Sequence, residues 1–225
     1  MISGKLSKLK QRVFRAVGLV AIGFFMASCT YDSVEPDVCF ETDVLPVFTS
    51  YCSTSGCHNP IDREEGYDLT TYEGIMRGIK PKSVLSSKLL QSMGGLGEEA
   101  MPPKSSPQPS TAQVTTIKAW VRSGAANTTN CSSAACDTAQ VPSYAVNIQP
   151  LLQNYCNGCH SGASASGSLN FENFSTVQQV GLNGRLAGAL KGDPGFAFMP
   201  PSSRPLPDCD IYLIEKWVAA GAKEN

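Results

Sequence analysis

The sequence contains little histidine and little charge. Only 2 of its 225 residues are His, and Asp, Glu, Lys and Arg make up 16%. The apolar run near the N-terminus, residues 17–26, is shorter than the roughly 20 residues that a membrane-spanning helix needs. No catalytic triad, phosphate-binding loop or pair of carboxylates stands out. Apolar and polar residues rarely alternate, which argues against β-strands. These absences favour a helical protein and disfavour most enzyme classes.

The first 28 residues have the three parts of a secretory signal peptide. A basic stretch comes first, the apolar run follows, and Ala27 and Ser28 stand directly before Cys29. This arrangement resembles the bacterial lipoprotein signal, in which the Cys is lipidated and becomes the mature N-terminus. We expect residues 1–28 to be removed and residues 29–37 to form a lipidated tether at a bacterial membrane. The alternative is an ordinary signal peptide, with Cys29 left as an odd thiol.

Removal of the signal would make the chain acidic. Five of the 18 basic residues and none of the 19 acidic residues lie within residues 1–29, which leaves 13 basic and 19 acidic residues and a net charge of −6. An acidic surface disfavours nucleic acid and anionic lipid as partners. We therefore expect membrane contact only through the lipid, and no nucleic-acid partner.

The chain contains an internal duplication. The matched positions are Pro46 with Pro150, Tyr51 with Tyr155, Cys52 with Cys156, Cys57-His58 with Cys159-His160, Met101-Pro102-Pro103 with Met199-Pro200-Pro201, and Trp120 with Trp217. Their separation falls from 104 to 97 residues along the chain, which indicates shortened loops between fixed elements. We predict two copies of one domain, at 38–127 and 144–225, joined by a linker at 128–143 that is rich in Ala, Ser and Thr.

Each copy is predicted to contain a short helix before the Cys motif, a middle helical piece and a closing helix. The closing helices are expected at about 111–123 and 209–220, where apolar residues recur every three or four positions. Gly124 and Gly221 follow as stop signals, and the Trp of each closing helix is expected in the core. The proline of each first helix suits the first turn, where its missing N–H costs nothing. The predicted fold class is all-α.

The second copy contains Cys156-Asn157-Gly158-Cys159-His160, a C-x-x-C-H motif for covalent attachment of haem c. Two thiols at this spacing reach the two vinyl groups on one porphyrin edge, and the His presents a ring nitrogen to the iron. We predict thioethers at Cys156 and Cys159 and an axial ligand at His160. A zinc half-site is the alternative, but each copy offers no obvious fourth ligand.

The first copy departs from this pattern, because Cys52 and Cys57-His58 form a C-x4-C-H motif. Small residues between the thiols can loop out and leave both sulfurs at the vinyl groups. Because the two motifs align, we predict a second haem with thioethers at Cys52 and Cys57 and an axial ligand at His58. Attachment through one thioether and a vestigial site remain alternatives.

Methionine is the predicted second axial ligand in both copies. Both His lie inside the motifs, so ligation by two His within one chain is excluded. Met101 and Met199 share a Met-Pro-Pro context and follow their respective His by 43 and 39 residues. A thioether is a soft ligand that raises the reduction potential of haem, and prolines restrict its loop. Met76 and Met93 lack counterparts and are predicted core residues.

The leader helix, the Cys motif with its His, the Met-Pro-Pro loop and the closing Trp helix together resemble the class I cytochrome c fold in tandem. More closely, the chain resembles di-haem cytochrome-type lipoproteins of Bacteroidetes-like bacteria, related to planctomycete-type cytochrome c domains. The stretch from Cys39-Phe40-Glu41 to Ser55-Gly56-Cys57-His58 fits that group, including its longer first spacer. The resemblance covers nearly all of the mature chain. It implies two cytochrome c-like domains with long haem-enclosing loops, haem c, and electron transfer in the periplasm or at the cell surface.

Four cysteines remain after these assignments: Cys39, Cys131, Cys136 and Cys209. An exported protein meets an oxidising compartment, so two disulfides are expected, with three possible connectivities. Cys39–Cys131 and Cys136–Cys209 are preferred, because each pair would join the start of a domain to its end. A Cys131–Cys136 pair would close a very small loop and leave Cys39 to reach Cys209 across domains.

The leading prediction is an exported electron carrier with two haem c groups and no catalytic activity of its own. Its acidic surface favours transient redox partner proteins with a basic docking patch. The alternatives are a di-haem peroxidase-type enzyme, with Glu98 and Glu99 as the nearest acid–base candidates, and a haem-based sensor or accessory module. Both need an iron with an open position, and the two predicted Met ligands argue against it.

Overall fold

The computed structural model describes residues 38–95, 99–129, 131, 136, 139–201 and 205–225. The predicted signal peptide and tether, with Cys29, lie outside the described residues, and so does Glu98. The described residues belong to one compact unit, Pro36–Asn225. We call residues 38–127 the first half and residues 144–225 the second half.

All regular elements in the described part of the chain are helical and no strand occurs there, which confirms the predicted all-α class. The α-helices there are α1 (Leu45–Tyr51), α2 (Tyr72–Met76), α3 (Lys88–Met93), α4 (Thr111–Ser123), α5 (Gln149–Tyr155), α6 (Phe174–Leu182), α7 (Arg185–Lys191) and α8 (Asp208–Ala219). A π-helical turn leads into α1 (Phe40–Val44) and another into α5 (Tyr144–Ile148), and a 3-10 turn follows each Cys motif (Glu64–Gly66 and Ser166–Ser168). None of the described helices is long and apolar enough to cross a membrane.

The closing helices α4 and α8 begin and end within one residue of the predicted bounds. Proline occupies the first turn of both α1 and α5, as expected. The middle of each half differs from the prediction, because two short helices replace the single expected piece. In the second half, Gly184 turns the chain between α6 and α7 with a φ of +80°. In the first half, Pro81 lies in the loop between α2 and α3, where a proline disfavours a continuous helix.

Two clusters of buried side chains form the core, one in each half. The closing-helix tryptophans lie at their centres, and Trp120 and Trp217 are each 1% exposed. An aromatic ring from the preceding π-helical turn lies against each indole at the same 33° tilt, with centroid distances of 5.4 Å for Phe40–Trp120 and 5.6 Å for Tyr144–Trp217. The prediction that both tryptophans are core residues is therefore confirmed.

Met76 and Met93 pack against the first of these clusters, in agreement with the core role predicted for them.

Two disulfide bonds join distant parts of the chain, Cys39–Cys131 and Cys136–Cys209. This is the preferred pairing, and the rival Cys131–Cys136 pair does not form. Thr128, next to the first bond, holds the start of the first half, because its carbonyl accepts from the Glu41 amide at 3.1 Å. The start of segment 128–143 is thereby held against the beginning of the first half.

The two halves meet where α1 packs against α5. Each of these helices runs directly into a Cys motif. The fold therefore places the two motifs next to the contact between the halves.

Candidate functional site

Helix α5 presents the second Cys motif. Leu152 is 1% exposed. Its carbonyl accepts from the amides of Cys156 and Asn157, both at 2.9 Å. The Cys156 carbonyl then accepts from the amides of Cys159 at 3.1 Å and His160 at 2.9 Å. These bonds make the motif one compact turn that continues the end of the helix. Both thiols and the imidazole are thus fixed to the end of a helix that Leu152 anchors in the core.

The first motif closes in the same way despite its longer spacer. The Cys52 amide donates to Phe48 O at 3.0 Å, and the His58 amide donates back to Cys52 O at 3.1 Å. Ser55 and Gly56 are exposed. The extra residues therefore loop out and leave the bond from the His to the first Cys unchanged.

Each imidazole ring is oriented through Nδ1 by a backbone carbonyl in the 3-10 turn that follows its motif. Nδ1 of His58 lies 2.9 Å from Glu64 O, and Nδ1 of His160 lies 3.0 Å from Ser166 O, in the equivalent 3-10 turns. Because a carbonyl only accepts, Nδ1 carries the proton in each neutral ring, and the lone pair stays on Nε2. This is the tautomer and the outer-shell bond typical of metal-binding His.

A cavity of about 1470 Å³ lies beside the second motif. Its lining includes all four predicted haem contacts of this half: Cys156, Cys159, His160 and Met199. Apolar side chains from the loop and from the middle helices form part of the wall, namely Leu169, Phe171, Val180, Leu186 and Leu190. Polar residues of the first half line it as well, among them Thr49, Ser53 and Asn59. A mostly apolar pocket with a few placed polar groups is typical of cofactor sites.

The two Met-Pro-Pro loops are anchored at equivalent points. The Met199 amide donates to Ala189 O of α7 at 3.0 Å, and the Met101 amide donates to Ser92 O of α3 at 3.1 Å. The peptide bond after each Met is cis. Met199 lines the cavity, whereas that lining does not include Cys57, His58 or Met101. The structure therefore gathers the predicted ligands of the second half around one space and gives those of the first half matching local anchors.

The electrostatics of the thiols and the imidazole suit neutral ligands. Burial raises the pKa of Cys52 and of Cys156 to about 12, and the neighbouring Cys of each motif adds to this effect. A nucleophilic or redox-catalytic thiol needs a lowered pKa, so these thiols are poor catalysts by themselves. Burial lowers the pKa of His160, against hydrogen bonds to Ser166 and Leu169 that raise it. The lowered pKa favours the neutral imidazole, which is the form that binds a metal.

The structure adds an aromatic contact that the sequence reasoning missed. The ring of Phe171 stacks on His160 at a centroid distance of 4.8 Å and an angle of 22°. In the first half, Tyr67 lies edge-on to His58 at 6.0 Å. In the duplication Phe171 is matched with Leu69 and not with Tyr67, so the repeat gave no signal for an aromatic ring beside each His. Of the peroxidase candidates, Glu99 is exposed.

The donor set fits haem c rather than a bare metal ion. Two neutral thiols, an imidazole held through Nδ1, a thioether and a cavity with apolar walls are what covalent haem requires from a protein. Within the described residues, no three His, Cys, Asp or Glu side chains are grouped so as to hold a metal ion. The site has the makeup of a c-type cytochrome.

Comparison with known families agrees with this class. The family model for Planctomycete cytochrome C matches residues 55–105. The matched stretch contains Cys57, His58 and Met101 and begins after Cys52. It supports a cytochrome c-like, haem-binding domain in the first half. No curated protein and no solved structure matches the chain.

Proposed function

We propose that the protein is an exported di-haem c-type cytochrome that carries electrons between partner proteins. The main support is the repeated local geometry, in which a helix that leads into the Cys motif, an oriented His and an anchored Met recur in both halves. The proposed thioethers are at Cys52, Cys57, Cys156 and Cys159, and the proposed axial ligands are His58, Met101, His160 and Met199. Haem supplies the one-electron chemistry when bound, and the protein supplies ligands, burial and orientation.

Two tandem domains, 38–127 and 144–225, are part of this proposal. Each half has its own buried cluster and its own closing helix. The intervening segment, 128–143, is tied to both, because Cys131 bonds to Cys39 and Cys136 bonds to Cys209. We therefore propose a linker that is fastened at both ends, so that the domains keep a short separation.

Export and a lipid anchor at Cys29 are supported by the signal-like N-terminus and by the two disulfides, which persist in oxidising compartments. The proposed location is a bacterial membrane surface that faces the periplasm or the outside of the cell. The proposed partners are redox proteins with a basic patch, because the mature chain has a net charge of −6. Such encounters are transient and become weaker with salt.

The choice between carrier and peroxidase is tested on the mature chain produced with c-type haem maturation. We expect low-spin spectra for every haem, the weak red to near-infrared band of Met bound to iron(III), reversible reduction, and no turnover of peroxide with a reduced donor. A five-coordinate, high-spin haem together with peroxide turnover would contradict the proposal and favour the peroxidase-type enzyme.

A further inference from the structure

The last carbonyl groups of α5 are bound by side chains of the first half. A helix leaves its final carbonyls without partners of its own. Tyr51 Oη donates to Gln153 O at 2.9 Å, and Ser50 Oγ donates to Asn154 O at 2.8 Å. Gln113 Nε2 donates to Gln153 O at 3.2 Å and to Asn154 Oδ1 at 3.0 Å. Three donors of one half thus cap the helix that carries the haem motif of the other.

These three donors are buried, since Ser50, Tyr51 and Gln113 are each 7–8% exposed. A buried polar group costs free energy unless it is paired. Gln113 is used at both ends of its amide, because its Oε1 also accepts from the Ser110 amide at 2.8 Å in the capping box of α4. The closing helix of the first half is therefore connected through one side chain to the leader helix of the second.

The second Cys motif also touches the first half directly. A Cβ at Gly158, between the two thiols, would overlap the backbone carbonyl of Ser50. In the first motif, the glycine before Cys57 has open space around it. The close approach at Gly158 places the turn between Cys156 and Cys159 against the end of α1.

The residues of the second half at the matched positions of the duplication form a different contact. Gln113 corresponds to Asp210, and Tyr51 corresponds to Tyr155. In the second half, Tyr155 forms its hydrogen bond with Asp210 of the same half. An ionised carboxylate has no N–H to donate, so Asp210 does not repeat the role of Gln113. Support runs from the first half to the second.

We propose that Ser50, Tyr51 and Gln113 are positioning residues for the second haem site. They hold the end of α5 and the turn at Gly158, and so keep Cys156, Cys159 and His160 beside the cavity that Met199 also lines, where these residues would hold the haem. The inference rests on the proposed function of that site. It implies that the second half depends on the first half for an intact site.

The test uses the full mature chain with haem attached and compares Tyr51→Phe and Gln113→Glu. Tyr51→Phe removes one donor to α5 and keeps the ring. Gln113→Glu keeps the acceptor for the Ser110 amide and removes the donor to α5. The matched control is Tyr72→Phe, which removes a partly buried hydroxyl that donates to Ala125 O at 2.8 Å within the first half.

Hydrogen exchange of residues 153–160 is measured beside that of residues 49–58. A single hydrogen bond contributes about 0.5–1.5 kcal/mol, so each donor variant should speed exchange in 153–160 by roughly 2- to 10-fold. The second readout is the Met-to-iron methyl signal of each haem in the NMR spectrum of the reduced chain, assigned with Met101→Ala and Met199→Ala. We expect the Met199 signal to broaden or shift in the donor variants and the Met101 signal to stay unchanged.

Three results would overturn the inference. The first is equally faster hydrogen exchange in residues 153–160 and 49–58, which would mean a general loss of stability. The second is the same selective effect on residues 153–160 in Tyr72→Phe. The third is no change in hydrogen exchange or in the Met199 signal of the donor variants. If one of these results is found and the wild-type chain carries haem at Cys156 and Cys159, the inference is wrong but the proposed function is unaffected. A wild-type chain without haem there would overturn the proposed function and this inference together.

Discussion

At the residue scale, the two His of the chain are held in the same way although the spacers before them differ in length. Each ring is fixed through Nδ1 by a carbonyl six residues further along. The longer first spacer loops out, so the His58 amide still donates to Cys52 O as the His160 amide donates to Cys156 O. Two extra residues therefore leave the His of the first motif held as in the second.

Met199→Leu tests the predicted axial ligand of the second site. Leucine has a similar volume and no sulfur, so we expect the fold to persist and the Met–iron band to lose about half of its intensity, with a lowered potential for that haem. The measurement is the near-infrared spectrum of the oxidised chain with a redox titration. Met76→Leu, in the core of the first half, is the control. An undiminished band in Met199→Leu would contradict the assignment.

Asp210 is predicted to make stability depend on pH. Burial raises its pKa to about 6, with a smaller rise from Asp43, while the hydrogen bond from Tyr155 lowers it. The folded protein therefore holds this proton more tightly than the unfolded chain, so the contribution to stability is present at low pH and is lost as the pH rises through about 6.

Asp210→Asn should remove this dependence. The stability of the variant relative to wild type should rise by about 1 kcal/mol between pH 4 and pH 7, a value reduced for partial exposure of the carboxyl. Urea unfolding at several pH values measures it. Asp208→Asn, an exposed acid in the same helical turn, is the control. If the stability of Asp210→Asn relative to wild type fell as the pH rose, the predicted direction of the pH dependence would be wrong.

Some residues had a signal in the sequence and others did not. The Cys, His and Met positions stand in repeated motifs, so the duplication revealed them. Ser50 and Gln113 do not belong to any motif, and their role arises only from the docking of α1 and α4 on α5. Contacts between halves depend on the relative placement of surfaces, and a periodic pattern within one helix does not contain that information.

At the element scale, the helices that the sequence predicted are those with a strong periodic face or a clear first turn. The face of α4 carries Ile117 and Trp120, both nearly inaccessible to solvent. The middle of the first half was harder to predict, because α2 and α3 have only 5 and 6 residues. Helices this short owe their stability to tertiary packing rather than to local preference.

Ser110→Ala tests the start of α4. The Ser110 side chain accepts from the Gln113 amide at 3.2 Å in a capping box. Loss of such a cap costs about 0.5–2 kcal/mol, so we expect a lower midpoint in thermal unfolding. Thr115→Ala in the same helix is the control, because its hydroxyl only bonds back to Thr111 O. Equal midpoints for wild type and Ser110→Ala would show that the cap is unimportant.

At the scale of the whole molecule, the two halves share one plan but not one role. Each has its buried cluster, its oriented His and its anchored Met, whereas the polar contacts to the leader helix run from the first half to the second. The preferred disulfide pairing had a topological reason, since each bond was expected to close the start of a domain onto its end. In the structure each bond joins segment 128–143 to one half. The docking of the halves had no counterpart in the sequence patterns.

The central claim is that one chain carries two covalent haem groups. The most direct measurement is the intact mass of the mature chain made with c-type maturation, followed by mapping of the haem-bearing peptides. We predict two haems, one on the peptide with Cys52 and Cys57 and one on the peptide with Cys156 and Cys159. A single haem on the second peptide would mean a vestigial first site, and a chain without haem would contradict the account.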